Sequence, residues 1–289
     1  MSSKFKPITL NDKPLFDGFF RKHPQKISEY TFTNLFCWRR MWNYRYAVID
    51  GHLIVESDEK QGPAFYPPVG PDPAGMIKAL SKEYPDWHFS MVEEDVALKL
   101  KDSFLVRKDE DQRDYVYLTE DLRALPGTKY SVKRNFIRRC QQHNPEVCAL
   151  SDERVREFIE MQERWCDEHK CLSNNQLTSE DDAIKQLLTN HKKLGVLGVC
   201  VTINGQLEAF ALGEPINPST YIEHFEKASV KYDGLYQFVL HEFAKSIPPQ
   251  FKFLNREQDL GVAGLRKAKL SWHPVGYVEK YSLLPSASD

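Results

Sequence analysis

Three candidate proton carriers stand in the C-terminal third of the chain: His224, Glu257 and Asp259. The two carboxylates follow a short apolar run, Phe253-Leu254, that ends in the polar knot Asn255-Arg256-Glu257-Gln258-Asp259. The chain reopens after Gly261 as the basic segment Gly264-Leu265-Arg266-Lys267-Ala268-Lys269. A strand that ends in clustered polar groups and leads into a helix is where an α/β protein places a ligand. Either carboxylate could take a proton from an attacking amine if burial raised its pKa. Spacing does not choose between them, and Asp259 can equally cap the following helix by accepting from its first N–H groups. Asn255 and Gly261 read as turn residues. His224 lies in an extended run with Glu223 and Glu226. Strict alternation would put His224 and Glu226 on one face with Ile222, as a general base beside a carboxylate or as a hydrogen-bonded, partly buried histidine.

Cations gather on two helical segments. Over 128–142, 100° per residue puts Lys129 and Lys133 on the side of Val132, Phe136 and Ile137, with Arg134 and Arg138 opposite. Over 262–271, Arg266 and Lys269 share the side of Val262, Leu265 and Leu270. Two helices that turn cations toward apolar faces are expected to border one anion-accepting cleft, with phosphate or the 3′ end of a tRNA as its ligand. The plainer readings are lysine stems lying along an apolar edge, and pairing of Arg266 and Lys269 with Glu257, Asp259 or Glu214. Tyr115, Tyr117, Trp38, Trp42 and Trp272 could stack on a base, although aromatics at such spacings usually form core.

Positioning these groups requires two runs of elements in the same order. In the first half, helices over 11–22 and 33–42 precede a hairpin closed by Asp50-Gly51, an extended piece near 64–66, a helix over 73–83, a strand over 87–92, a helix over 94–101 and strands near 104–106 and 115–118. In the second, helices over 128–142, 152–168 and from Ser179 to the glycine at 195 precede a hairpin closed by Asn204-Gly205. A strand over 220–228, a helix over 236–246 stopped by Pro248-Pro249, a strand over 251–254, a helix over 262–271 and a strand over 275–284 complete it. The repeated order implies an α/β (α+β) protein of two similar domains, 1–112 and 113–289, without a residue-level repeat.

Composition removes other classes. The 289 residues are 41% hydrophobic, enough for a substantial core, and 39 Lys+Arg against 41 Asp+Glu leave a net charge of −2. No global polycation exists to drive nucleic-acid or membrane binding, so an anion site must be local. The N-terminal residues lack the apolar core of a signal peptide and no apolar run is of membrane-spanning length, which points to the cytoplasm. Six cysteines without a Cys-x-x-Cys are expected to be mostly reduced and partly buried, and their irregular spacing with His143 and His169 supports no metal. The chain has no Gly-x-Ser-x-Gly elbow, Walker loop or dinucleotide fingerprint.

A hairpin, a third strand, a turn into a helix, another strand, another helix and a last strand is the element order of the GNAT N-acyltransferase fold. In that fold the turn after the third strand binds a pyrophosphate through backbone N–H groups. Here it reads Lys231-Tyr232-Asp233-Gly234-Leu235-Tyr236, with Lys231 and Gly234 in register and Tyr236 where a small residue is expected. More of the chain resembles the stand-alone bacterial proteins similar to the C-terminal domain of lysylphosphatidylglycerol synthases. The resemblance is carried by Glu29-Tyr30-Thr31-Phe32-Thr33-Asn34-Leu35 with Trp38-Arg39, Pro67-Pro68-Val69-Gly70, Tyr115-Val116-Tyr117, Leu125-Pro126-Gly127 with Lys129-Tyr130 and Lys133-Arg134-Asn135, and the segment from Asn255 to Lys269. It implies two tandem GNAT-like domains, each a mixed, mostly antiparallel sheet flanked by helices, similar also to Fem-type aminoacyltransferases. The expected activity is acyl transfer to an amine or hydroxyl of a small-molecule or peptide acceptor, from aminoacyl-tRNA or else acyl-CoA. Lys129, Lys133, Arg134, Lys231, Gly234, Arg266 and Lys269 would hold the donor, and Asp259, Glu257 or His224 would carry the proton. A non-catalytic sensor of a phosphate-bearing ligand or a tRNA-binding module is the competing class.

Overall fold

Two Asx-Gly dipeptides set the central hairpins of a computed structural model that describes residues 4–171 and 175–285. Asp50 and Gly51 have φ of 47° and 74°, and Asn204 and Gly205 have 53° and 75°. Both central residues of each turn are left-handed, the twist that matches paired strands. The first turn joins β2 (Arg45–Ile49) to β3 (His52–Glu59), and the second joins β9 (Leu197–Ile203) to β10 (Gln206–Asn217).

Around the first hairpin, β1 (Lys6–Pro7), β4 (Gly62–Phe65), β5 (His88–Glu93) and β6 (Phe104–Lys108) build a sheet with β14 (Lys280–Pro285), in the order β1-β2-β3-β4-β5-β14-β6. Only β4 and β5 run parallel among its registered pairs. Helices α1 (Lys13–Lys22), α2 (Phe32–Trp42), α3 (Pro73–Glu83) and α4 (Glu94–Lys99) accompany it. The Thr31 hydroxyl caps α2 by accepting from the Asn34 N–H at 3.0 Å, and the Asp72 carboxylate caps α3 through the Gly75 N–H. Ile54, Phe65, Ile77, Phe89, Val92 and Leu283 are fully buried in its core.

Around the second hairpin the order is β13-β7-β12-β11-β10-β9-β8, built from β7 (Asp114–Leu118), β8 (Glu146–Ala149), β11 (Thr220–Ala228), β12 (Phe253–Asn255) and β13 (Gly276–Val278). Again one registered pair, β11 with β12, is parallel. Helices α5 (Thr119–Ala124), α6 (Ser131–Gln141), α7 (Val155–His169), α8 (Asn175–Leu194), α9 (Leu235–Ser246) and α10 (Ala263–Leu270) belong to this half of the chain. Tyr115, Val201, Ala211, Val239, Leu240 and Leu254 are buried in its core.

Two expectations are corrected. The strand expected over 275–284 breaks at Glu279, and its halves join different sheets. Accordingly the first compact unit is Met1–Asp114 with Gln258–Lys267 and Tyr277–Asp289, and the second is Tyr115–Glu257 with Ala268–Gly276. The assignment of 113–289 to one domain fails because β14 is recruited by pairing with β5 and β6, far from it in sequence. The buried Lys280 ammonium fixes that recruitment through Asp114 and Glu29, both at 2.7 Å. Second, the cysteines are not mostly reduced: Cys148 is joined to Cys200 across the β8–β9 ladder, Cys166 to Cys171, and only Cys37 and Cys140 are thiols. The Cys140 thiol, pushed up to about 11 by burial, is an inert core group.

Candidate active site

The parallel pair of the second sheet is short. It registers at Thr220↔Phe253, Tyr221↔Leu254 and Ile222↔Asn255 and then ends, while β11 continues to Ala228. Past Asn255 the other strand turns aside: Glu257 takes φ of 55°, and its N–H donates to the Asn255 side-chain oxygen at 2.8 Å. Asn255 therefore holds the turn, and two parallel strands part at their carboxyl ends, the usual position of a ligand in such sheets.

What faces the gap is set by a β-bulge. Leu212 pairs with Phe225 and Gly213 with Glu223, so His224 is an extra residue in β11. A bulge shifts the side-chain alternation by one, and Glu223 and Glu226, three residues apart, both reach Arg256. Its guanidinium donates to Glu223 at 2.5 Å and to Glu226 at 2.7 Å. The bulge also demands Gly213, because an added Cβ would lie 2.1 Å from the Ile222 carbonyl oxygen. The expected pairing of His224 with Glu226 on one face is thereby undone.

His224 instead bridges two carboxylates. Its Nδ1 lies 2.9 Å from Glu257 and its Nε2 3.0 Å from Glu214. Burial opposes the imidazolium, but hydrogen bonds and charge from Glu214 and Glu257 outweigh it and raise the pKa to about 9. A histidine protonated on both nitrogens at neutral pH accepts no proton, so it clamps β10, β11 and the turn after β12. Glu257, committed to that clamp, is no free base either. Asp259, fully buried, accepts the Gly261 N–H at 2.8 Å and both guanidinium arms of Arg266 at 2.7 and 2.8 Å. It thus makes the ion pair expected with Arg266 and accepts from the turn ahead of α10. Arg266 also reaches Asp111 at 2.6 Å, and Gly261 has φ of 73° with Asp111 packed against it.

Lys269 reaches the backbone of Arg256, and Lys133 feels the Arg256 charge. Lys269 donates to the Glu257 carbonyl at 3.2 Å and to that of Arg256. Lys133 donates to the Ser271 hydroxyl at 2.6 Å and lies 4.5 Å from the Trp272 ring centre. Burial and the Arg256 charge pull the Lys133 pKa down to about 8, against the opposing Glu226 charge. Burial pushes Glu226 up to about 8, with Arg256 opposing and Glu223 reinforcing. Glu223 has one carboxylate oxygen buried without a hydrogen-bond partner, and Glu226, 14% exposed, is the more accessible acid. A lysine and a carboxylic acid brought toward neutral pH around a permanent cation can exchange protons with a ligand.

The other expected donor residues stand apart from this cluster. Lys129 pairs with Asp121 at 2.9 Å and is half exposed. Arg134 donates to the carbonyls of Leu125 and Gly127 at 2.5 and 2.7 Å, tying down the loop before its own helix. Lys231 pairs with Glu168 at 3.5 Å on the surface. At Gly234, φ is 85° and an added Cβ would lie 2.0 Å from the Phe136 carbonyl oxygen. The glycine admits the backbone of α6, whereas a close approach of donor phosphate was expected. Tyr115 and Tyr117 are buried, so neither is a stacking surface. Arg256, Glu223 and Glu226 were not among the expected site residues; the signal for the two glutamates was their spacing of three within one strand, which strict alternation would put on opposite faces.

Two mixed sheets, each with one parallel pair that parts beside helices, define a tandem GNAT-like protein. A tandem GNAT protein from the clavulanic acid biosynthesis pathway matches with TM-score 0.50 and 10% identity over 99% of both chains. L-PGS from Bacillus licheniformis matches with TM-score 0.69 and 13% identity, over 100% of this chain and 95% of that one. A conserved protein of unknown function from Bacteroides thetaiotaomicron VPI-5482 is 33% identical, with TM-score 0.91 over 97% of this chain and 98% of its own. The family model described as phosphatidylglycerol lysyltransferase, C-terminal, matches residues 20–284, and the chain belongs to that family. No curated protein matches it. Among the described residues no helix is long and apolar enough to cross a membrane.

Proposed function

We propose that the protein is an aminoacyltransferase that moves an aminoacyl group from aminoacyl-tRNA to an amine or hydroxyl acceptor, with the Arg256 cluster of the second unit as its site. The observation that carries this reading is the Arg256–Glu226 ion pair where β11 and β12 part, with Lys269 bonded to the Arg256 carbonyl and the Lys133 ammonium within reach of its charge. Family membership supports transfer chemistry, and the fold shared with L-PGS fits the same class.

In this scheme the acceptor nitrogen or oxygen attacks the ester carbonyl carbon. Lys133, partly neutral near pH 8, takes the acceptor's proton as the new bond forms. Glu226, about half protonated there, gives its proton to the departing ribose oxygen as the ester C–O bond breaks. Lys269 and Arg256 supply fixed positive charge for the transient oxyanion, which costs no reorganisation during reaction. No covalent intermediate on the protein is needed.

Acyl-CoA is the weaker donor because the carbonyl of Phe136 packs against the Gly234 turn, where a pyrophosphate would need backbone N–H groups. Exposed Arg138 and Arg139 on α6 suit a tRNA backbone, and charged tRNA places the reaction in the cytoplasm. A competition assay tests the donor: the protein is given charged tRNA and acetyl-CoA together, with phosphatidylglycerol vesicles and a panel of small amines and peptides. Loss of the aminoacyl ester with unchanged thioester is expected. Thioester consumption with the ester intact would overturn the reading.

A further inference from the structure

The first unit repeats the parting of parallel strands, but there the gap is open. β4 and β5 pair at Ala64↔His88 and Phe65↔Phe89 only. Two residues past the last pair, Met91 takes φ of 57°, just as Glu257 does two residues past Asn255. On the other side Pro67 and Pro68 leave the sheet, and the chain returns to it where Val69 pairs with Leu53. Between them lies a cavity of about 370 Å³ lined wholly by the first unit. That volume falls within the range of small-molecule sites, roughly 300–1,000 Å³.

Its walls differ in charge. Lys22, His23 and Lys26 line it from the end of α1 and the connection to α2, whereas Glu93 and Asp95 line it from the end of β5 and the start of α4. Ile27, Pro68 and Val96 give the space between them an apolar lining. Lys26 and Glu93 meet at 3.0 Å across one edge, a pair largely in water at its lysine end and therefore cheap to open. The turn into α3 offers a phosphate little backbone. Pro67 and Pro68 have no N–H, α3 begins with Pro73, and the Asp72 carboxylate already accepts the Gly75 N–H and sets a negative charge at that helix end.

We infer that this cavity is a second ligand site, for a small zwitterion of dipeptide size. The ligand's carboxylate meets Lys22, His23 and Lys26, its ammonium meets Glu93 and Asp95, and its side chains lie on the apolar lining. Such a site lies within the first unit alone, and its occupancy is independent of transfer at the Arg256 cluster.

Isothermal titration of the full chain with L-alanyl-L-leucine tests it, beside the N-acetylated, C-amidated dipeptide, sodium acetate and coenzyme A. Saturable binding of the zwitterion is expected, weakened at least tenfold by Lys22→Glu and by Asp95→Lys, exposed positions whose variants should keep the wild-type melting temperature. The blocked dipeptide, acetate and coenzyme A should show at least tenfold weaker binding. Absence of dipeptide binding, equal binding of the blocked form, preference for coenzyme A, or indifference to both substitutions would overturn the proposal.

Discussion

At the scale of residues, two groups move toward the same pH from opposite directions. Lys133 falls to about 8 and Glu226 rises to about 8. A base that must be neutral and an acid that must be protonated then give a narrow bell in the rate against pH, centred near 8. Glu226→Gln should remove the alkaline limb, and Lys133→Met should lower the rate by about 10²–10⁴, the usual worth of a positioned general base. Initial rates between pH 6 and 10 check both. His224 acts on stability. Its folded pKa of about 9 exceeds the ordinary 6.5, so its contribution is complete below 6.5 and disappears as pH rises through 9. The gap in melting temperature between wild type and His224→Gln should therefore be widest near pH 6 and close by about pH 10, as thermal melts would show. An Asp259–Arg266 pair and a hydrogen-bonded His224 were among the readings that spacing left open, whereas the roles of Lys133 and Glu226 were not legible from it. His224, Glu257 and Asp259 had the right chemistry, but their partners, Glu214, Arg266 and each other, come from other elements.

At the scale of elements, local signals worked where the chemistry is local. Asp50-Gly51 and Asn204-Gly205 marked both hairpins because only certain residues accept two left-handed positions in succession. The helix expected over 73–83 coincides with α3. The bulge at His224 was not legible: it arises because Gly213 lets the neighbouring strand approach, and it reverses the face of every residue beyond it. Gly234 was recognised as a turn, and its reason lies in α6. Gly234→Ala combines a strained φ with a backbone collision and should cost at least about 1–3 kcal/mol, measured by chemical denaturation. A change under ~0.5 kcal/mol would mean that α6 does not pack on that turn.

At the scale of the whole molecule, the repeated element order anticipated two like sheets, and the tandem GNAT-like architecture holds. The path of the chain was not anticipated. A strand that continues in sequence through Glu279 leaves one sheet and enters another, and periodicity carries no sign of that choice. Lys280 reveals it only with its partners in view, a fully buried ammonium held by Ser28, Glu29 and Asp114. Lys280→Met would leave two carboxylates buried beside each other, and removing one partner of a buried pair costs roughly 3–5 kcal/mol. The melting temperature should fall markedly, and an unchanged melt would show that β14 is held by its backbone pairing alone. Under the proposed function, charged tRNA is the donor used at the Arg256 cluster. The most direct measurement is the transfer of labelled amino acid from charged tRNA to an acceptor, by wild type and by Lys133→Met at equal tRNA occupancy. The wild type is expected to transfer, and the variant to lose at least 10²-fold with tRNA binding retained; equal transfer by both proteins, or none by the wild type with any acceptor, would rule that donor and site out.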